Sequence, residues 1–163
     1  MTTPSIYPTQ YQGLDTDYLK VKQDRSGAAR EYRGTVTIPS GTVATTIVGL
    51  TPFVKGASFT IGDKSVYCGN FGAGTTTVDL GYVYDDNTTY TNNVDAWASA
   101  ATAPQSGGFI TVDERDGVTF VAEANGWIAV TINTATTDAE ETITWNFMGA
   151  YDGLGVNNAN NQN

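Results

Sequence analysis

The chain has 163 residues and a mass of 17.3 kDa, with 40% hydrophobic and 15% charged side chains. That composition suits one folded domain with tails and is too apolar for a disordered chain. The net charge of −9 and pI near 4.1 argue against a nucleic-acid partner, because phosphate binding needs clustered Lys and Arg.

Residues 1–33 are read as an extended N-terminal arm. Pro4 and Pro8 favour extended backbone, and SGAAR at 26–30 resembles a linker. The arm carries Lys20, Lys22, Arg25, Arg30 and Arg33, five of the eight basic residues, with Tyr7, Tyr11, Tyr18 and Tyr32 interleaved. Its net charge is +1, against −10 for the remaining chain. Tyr and Arg are enriched in protein interfaces, so these nine residues are the candidate partner-binding set.

Residues 34–150 alternate apolar and polar side chains in short runs, the pattern of half-buried strands. Strands are predicted at 35–38, 42–50, 57–61, 65–68 and 75–84. Residues 93–101 (NVDAWASAA) are the one helix candidate, with Asn93 as cap and alanines favouring helix. Further strands are predicted at 109–112, 118–124, 127–133 and 142–148. Asp116-Gly117 and Asn125-Gly126 are read as hairpin turns between the last of these. Ile143, Trp145 and Phe147 share a face and are assigned to the core. Trp127 falls out of phase with Ile128, Val130 and Ile132, which makes it the candidate exposed or interface aromatic. Residues 151–163 form an Asn-rich tail. The expected fold is all-β: a single jelly-roll-like or β-sandwich domain with one short helix.

No catalytic residue is expected. The chain contains no histidine, which removes the usual nucleophile–base pairs and the usual zinc ligands. The acids Asp85-Asp86, Asp113-Glu114-Asp116 and Glu140-Glu141 fall in predicted turns, where solvated carboxylates are ordinary. Asp85-Asp86-Asn87 offers oxygen ligands for calcium but lacks the EF-hand glycine. Neither a metal nor a cofactor is expected. Cys68 is the only cysteine, so no disulfide forms within the chain, and its phase with Val66 makes it a buried thiol. The first residues have neither a basic start nor an apolar run, so no signal peptide is expected. No membrane partner is expected either.

The stretches TVTIPSGTVATTIVGLTPFVKGASFTI (35–61), TTTVDLGYVYDDNTTYTNNVDAWASAATAPQSGG (75–108) and DGVTFVAEANGWIAVTI (116–132) resemble auxiliary head proteins of tailed bacteriophages, the decoration or cement proteins. The resemblance covers roughly residues 35–148. It implies a jelly-roll-like module, made in the host cytoplasm, that sits on the outside of a phage head and stabilises it. The implied partner is the major capsid protein, gripped by the terminal arm. A homo-oligomer on the capsid, for which a trimer is one arrangement, is also expected. Two other readings stay open: a tail-fibre module that binds a receptor or carbohydrate, and a polysaccharide-degrading enzyme.

Overall fold

A computed structural model describes residues 4–8, 30–72, 74–113 and 119–151. Among the described residues ten strands follow one another: β1 (Arg30–Ile38), β2 (Ile47–Phe53), β3 (Ala57–Thr60), β4 (Val66–Cys68), β5 (Thr77–Tyr84), β6 (Asn93–Ala101), β7 (Gly108–Phe109), β8 (Thr119–Val121), β9 (Gly126–Asn133) and β10 (Glu141–Tyr151). They form two antiparallel sheets. In the six-stranded sheet, β10 pairs with β1 along one side; on its other side it pairs first with β4 and then with β3, and β7 and β8 lie outside those. The four-stranded sheet has the order β2-β9-β5-β6.

The two sheets close on one apolar core. Ile38, Phe59, Cys68, Trp145 and Phe147 come from one sheet, and Leu50, Phe53, Leu80, Trp97 and Ile128 from the other. All are essentially inaccessible to water. Each large apolar side chain removed from water in this way stabilises the fold by roughly 1.5–3 kcal/mol. A bulge in β2 moves the register between Gly49 and Thr51, so Thr51 turns inward opposite Ile128. Pro52 follows without cost to the sheet, because β2 is an edge strand.

The all-β expectation holds, with two corrections. Residues 93–101 form strand β6 and no helix; the nearest helical turn is the 3-10 turn Ala103–Gln105. Alanine propensity loses here to the sheet: β6 supplies partners to β5, which would otherwise leave a row of backbone groups unpaired. Gly81 lets the two strands approach, since a Cβ there would collide with the backbone of Asn93 and Val94. The second correction concerns Asn125-Gly126, which is not a hairpin turn. β8 pairs with β3, whereas β9 pairs with β2 and β5, so this dipeptide carries the chain from one sheet to the other. The corner is held by Lys55 N–H donating to Asn125 Oδ1 (3.0 Å) and Asp85 N–H donating to the Asn125 carbonyl (3.0 Å).

Boundaries also move. The strand predicted at 42–50 becomes β2 at 47–53, because residues 42–46 form a turn with Thr45 at a φ of 71°. Of the stretch 109–112 only Phe109 is strand; Ile110 N–H then bonds to Val66 and Asp113 N–H to Trp97, bridging the two sheets. Arg30, Tyr32 and Arg33, read as arm, lie in β1. Their run continues the inward phase Tyr32, Gly34, Val36, Ile38, with Gly34 making room for the Trp145 ring. Tyr151, read as the start of the tail, ends β10. The Asp116-Gly117 turn and residues 152–163 lie outside the described residues.

Candidate interaction surface

The two sheets differ in what they show to solvent. Side chains that face opposite ways along β10 divide cleanly: Ile143, Trp145 and Phe147 point inward, while Thr144, Asn146 and Met148 point out. Residues opposite each other in an antiparallel pair share a face, so the register maps the outer surface of the six-stranded sheet. Phe109, Tyr67, Thr144 and Thr35 form one row across β7, β4, β10 and β1. Thr119, Thr60, Met148 and Glu31 form another across β8, β3, β10 and β1. Val121 and Ser58 extend it.

Five large hydrophobic side chains are exposed among the described residues, and four of them stand on this face: Tyr67, Phe109, Val121 and Met148. Tyr67 and Phe109 meet edge to face, with centroids 5.3 Å apart. The charged members of the rows are Glu31 and, in the row between them, Arg33, and Glu31 accepts a hydrogen bond from Asn146 Nδ2 at 2.7 Å. The face is therefore threonine-rich and sparsely charged on a strongly acidic chain, with Lys64 beside Tyr67 and Phe109. Such a patch is a common mark of an interaction surface.

The opposite sheet is partly covered by the chain itself. Pro4–Pro8 runs beside β2, with Ile6 bridged in parallel to Val48. Ser5 N–H donates to the Ile47 carbonyl (2.9 Å) and Gly49 N–H to the Ile6 carbonyl (2.7 Å). Ile6 packs on the core, and the Tyr7 ring lies 5.7 Å from that of Trp127. A Cβ at Gly49 would strike both Trp127 and Pro4, so the glycine is what allows this seat. Trp127 does lie outside the core, as its phase implies, but half-buried beneath residues of its own chain. Of the nine arm residues, Tyr7 is thus at Trp127, and Arg30, Tyr32 and Arg33 are in β1. Tyr32 faces inward against Phe59 at 5.1 Å, and Arg33 is on the outer face. Tyr11, Tyr18, Lys20, Lys22 and Arg25 lie outside the described residues.

At one end of the sandwich a cleft of about 430 Å³ opens between β5, the turn after it and β8. Its accessible walls are Tyr82, Tyr90, Phe120 and Glu123, with Thr89 and Thr91 on the rim. Tyr82 and Phe120 stack with centroids 4.5 Å apart. Beside it, Asp86 accepts hydrogen bonds from Thr88 N–H, Thr88 Oγ1 and Thr89 N–H, and these hold its pKa down to about 2. Burial raises the pKa of neighbouring Asp85. The acids Asp113, Glu140 and Glu141 are spread over separate loops and a strand start, and among the described residues no group of three His, Cys, Asp or Glu could hold a metal ion. Cys68 is fully buried, and desolvation pushes its thiol up to about 12.

Tyr67, Phe109, Val121 and Met148 were not singled out in the sequence. The signal was present: each is a large apolar residue at the odd position of an alternating strand, as Trp127 is. Reading it needed the register, which tells which odd positions fall side by side.

No family model matches the chain, and no curated protein matches it. Solved structures do. One chain of the structure "Cyanophage Pam1 capsid asymmetric unit" is 20% identical, with a TM-score of 0.53; the match covers 78% of this chain and 87% of that one. A chain of "Capsid of Ralstonia phage GP4" is 18% identical over the same shares, with a TM-score of 0.55. The two-sheet fold described above is thus a fold found in solved phage capsid structures.

Proposed function

We propose that the chain is a structural virion protein of the decoration or cement type, bound to the outside of a phage head. The observation that carries this reading is the shared two-sheet fold, which spans most of this chain and most of its counterparts in two phage capsid structures. The surface is consistent with it. The outer face of β7-β4-β10-β1 and β3-β8 offers apolar anchors with little charge, and the arm adds Lys20, Lys22 and Arg25. On an acidic chain these are the places where another acidic surface is approached with least repulsion. Binding only the assembled lattice stabilises that lattice by mass action, with no bond made or broken. The major capsid protein is the proposed partner, and several copies around one lattice point are the proposed arrangement.

The test uses capsids stripped of the native copy. Wild-type chain is compared with Met148→Asp, with Tyr67→Asp, and with the triple reversal of Lys20, Lys22 and Arg25 to Glu. We expect saturable binding by wild type, loss of at least tenfold in affinity for the face variants, and a similar loss for the arm variant. Wild-type chain that does not associate with capsids at all would overturn the reading.

A further inference from the structure

The cleft beside β8 shares Thr119 and Val121 with the face just described, but its remaining walls differ in chemistry. Three consecutive residues of β8, Thr119, Phe120 and Val121, line it together. Neighbouring strand residues point to opposite faces, so a cleft touched by all three meets the edge of the strand. β8 is the last strand of its sheet, and among the described residues it pairs with β3 alone. Ala122 N–H donates to the Ala57 carbonyl and its carbonyl accepts from Gly56 N–H, so both its backbone groups point toward β3. By the alternation of an antiparallel ladder, the backbone groups of Thr119 and Val121 point the other way, into the cleft.

The side-chain walls add selectivity. Tyr82, Tyr90 and Phe120 present aromatic surface, and Glu123 presents a carboxylate at the mouth. No Lys or Arg lines the cleft among its described residues. Aromatic faces next to a carboxylate attract a cationic group by its charge and by the ring quadrupoles. An anionic ligand meets repulsion from the same groups.

We propose that the cleft and the outer edge of β8 form one site for an extended protein segment, which adds a strand beside Thr119–Val121 and places a Lys or Arg side chain in the cleft beside Tyr82, Tyr90 and Glu123. Main-chain pairing supplies affinity and the pocket supplies choice of side chain, the usual division in strand addition. The inference rests on the decoration reading for the source of the segment, a neighbouring virion subunit, but the site itself is testable without capsids.

The probe is a five-residue blocked peptide, Thr-Lys-Val-Arg-Thr, titrated into the full chain and followed by amide chemical shifts. Its counterpart carries Glu at both basic positions. We expect saturable shifts at Thr119, Val121 and Tyr90 with the basic peptide, and none with the acidic one. Glu123→Lys, a change at an exposed position, should weaken binding at least tenfold, while Glu123→Gln should weaken it less. Absence of shifts at residues 119–123 at millimolar basic peptide overturns the proposal. Equal binding of both peptides, or unaltered binding by Glu123→Lys, does so too. So does saturable binding of a neutral oligosaccharide at the same residues in place of the peptide. Capsid binding by wild type is measured alongside: a chain that binds the peptide but no capsid keeps the cleft and refutes the decoration reading, and the reverse result refutes only the cleft.

Discussion

The indole Nε1 of Trp145 donates a hydrogen bond of 3.0 Å to the hydroxyl of Thr51, across the interior of the sandwich. Trp145 belongs to β10 and Thr51 to β2, so the bond ties one sheet to the other. Both side chains are buried. The bulge at Leu50 is what brings Thr51 to the inner face.

Thr51→Val keeps the volume and removes the acceptor. A buried donor left without a partner costs about 1–3 kcal/mol. Urea unfolding should show a loss in that range with an unchanged slope. Trp145→Phe in the Thr51→Val background should then cost less than Trp145→Phe alone, because the orphaned N–H has gone. A Thr51→Val chain as stable as wild type would show that the bond contributes nothing.

Gly34 sits under the Trp145 ring, and a Cβ there would come within 2.5 Å of its Cζ2. The ring is fully buried and has nowhere to go. Gly34→Ala should destabilise the fold by about 1–3 kcal/mol through overpacking. Thermal melting with tryptophan fluorescence as readout checks both the loss and the displacement of the ring.

The Cys68 thiol is pushed up to about 12 by desolvation. Its folded pKa lies above its unfolded value, so the neutral form it favours is present in both states below about pH 9. As pH rises from there through 12, the unfolded chain ionises first and stability falls. Cys68→Ala or Cys68→Val should flatten this alkaline limb in denaturant midpoints measured between pH 8 and 11. In the native chain at neutral pH, a thiol reagent should react only as fast as the molecule opens.

Asp86 shows the opposite sign. Its pKa is lowered to about 2 by the hydroxyl and amides of Thr88 and Thr89. The stability it lends is present above the unfolded carboxylate range and is lost as pH falls through about 2. Asp86→Ala should loosen the turn at Thr88–Tyr90, weaken the dependence of stability on pH in acid, and shift the Tyr90 resonances. Unchanged Tyr90 signals would show that the turn is held by other contacts.

Strands with one buried face were legible. In β5, β9 and β10 the core-facing apolar residues recur every second position, and the same alternation places Trp145 in β10 and Cys68 in β4 inward. β6 was not legible. Its run Ala96, Trp97, Ala98 is buried without a break, and the two register shifts against β5 erase the period. Asn125-Gly126 misleads because a turn dipeptide says that the chain bends but not which sheet it enters next. The interaction surface was hidden for a related reason. Tyr67 and Phe109 are 42 positions apart and become neighbours only through the pairing of β4 with β7.

The position of β10 has a consequence for how the molecule is made. It is the central strand of its sheet, holding β1, β3 and β4 at once, and its partners in β1 lie more than a hundred residues earlier in the chain. Until Glu141–Tyr151 leaves the ribosome, β1 has no ladder to join and the edges of β3 and β4 that pair with β10 stay open. Local hairpins such as β5-β6 can form early, but the sandwich cannot close. Contacts of such long range are reached slowly. During synthesis the chain therefore passes through a stage with apolar strands exposed and edges open, the stage at which such chains aggregate. Yield in a host cell should respond more to temperature and chaperone supply than to the stability of the finished fold.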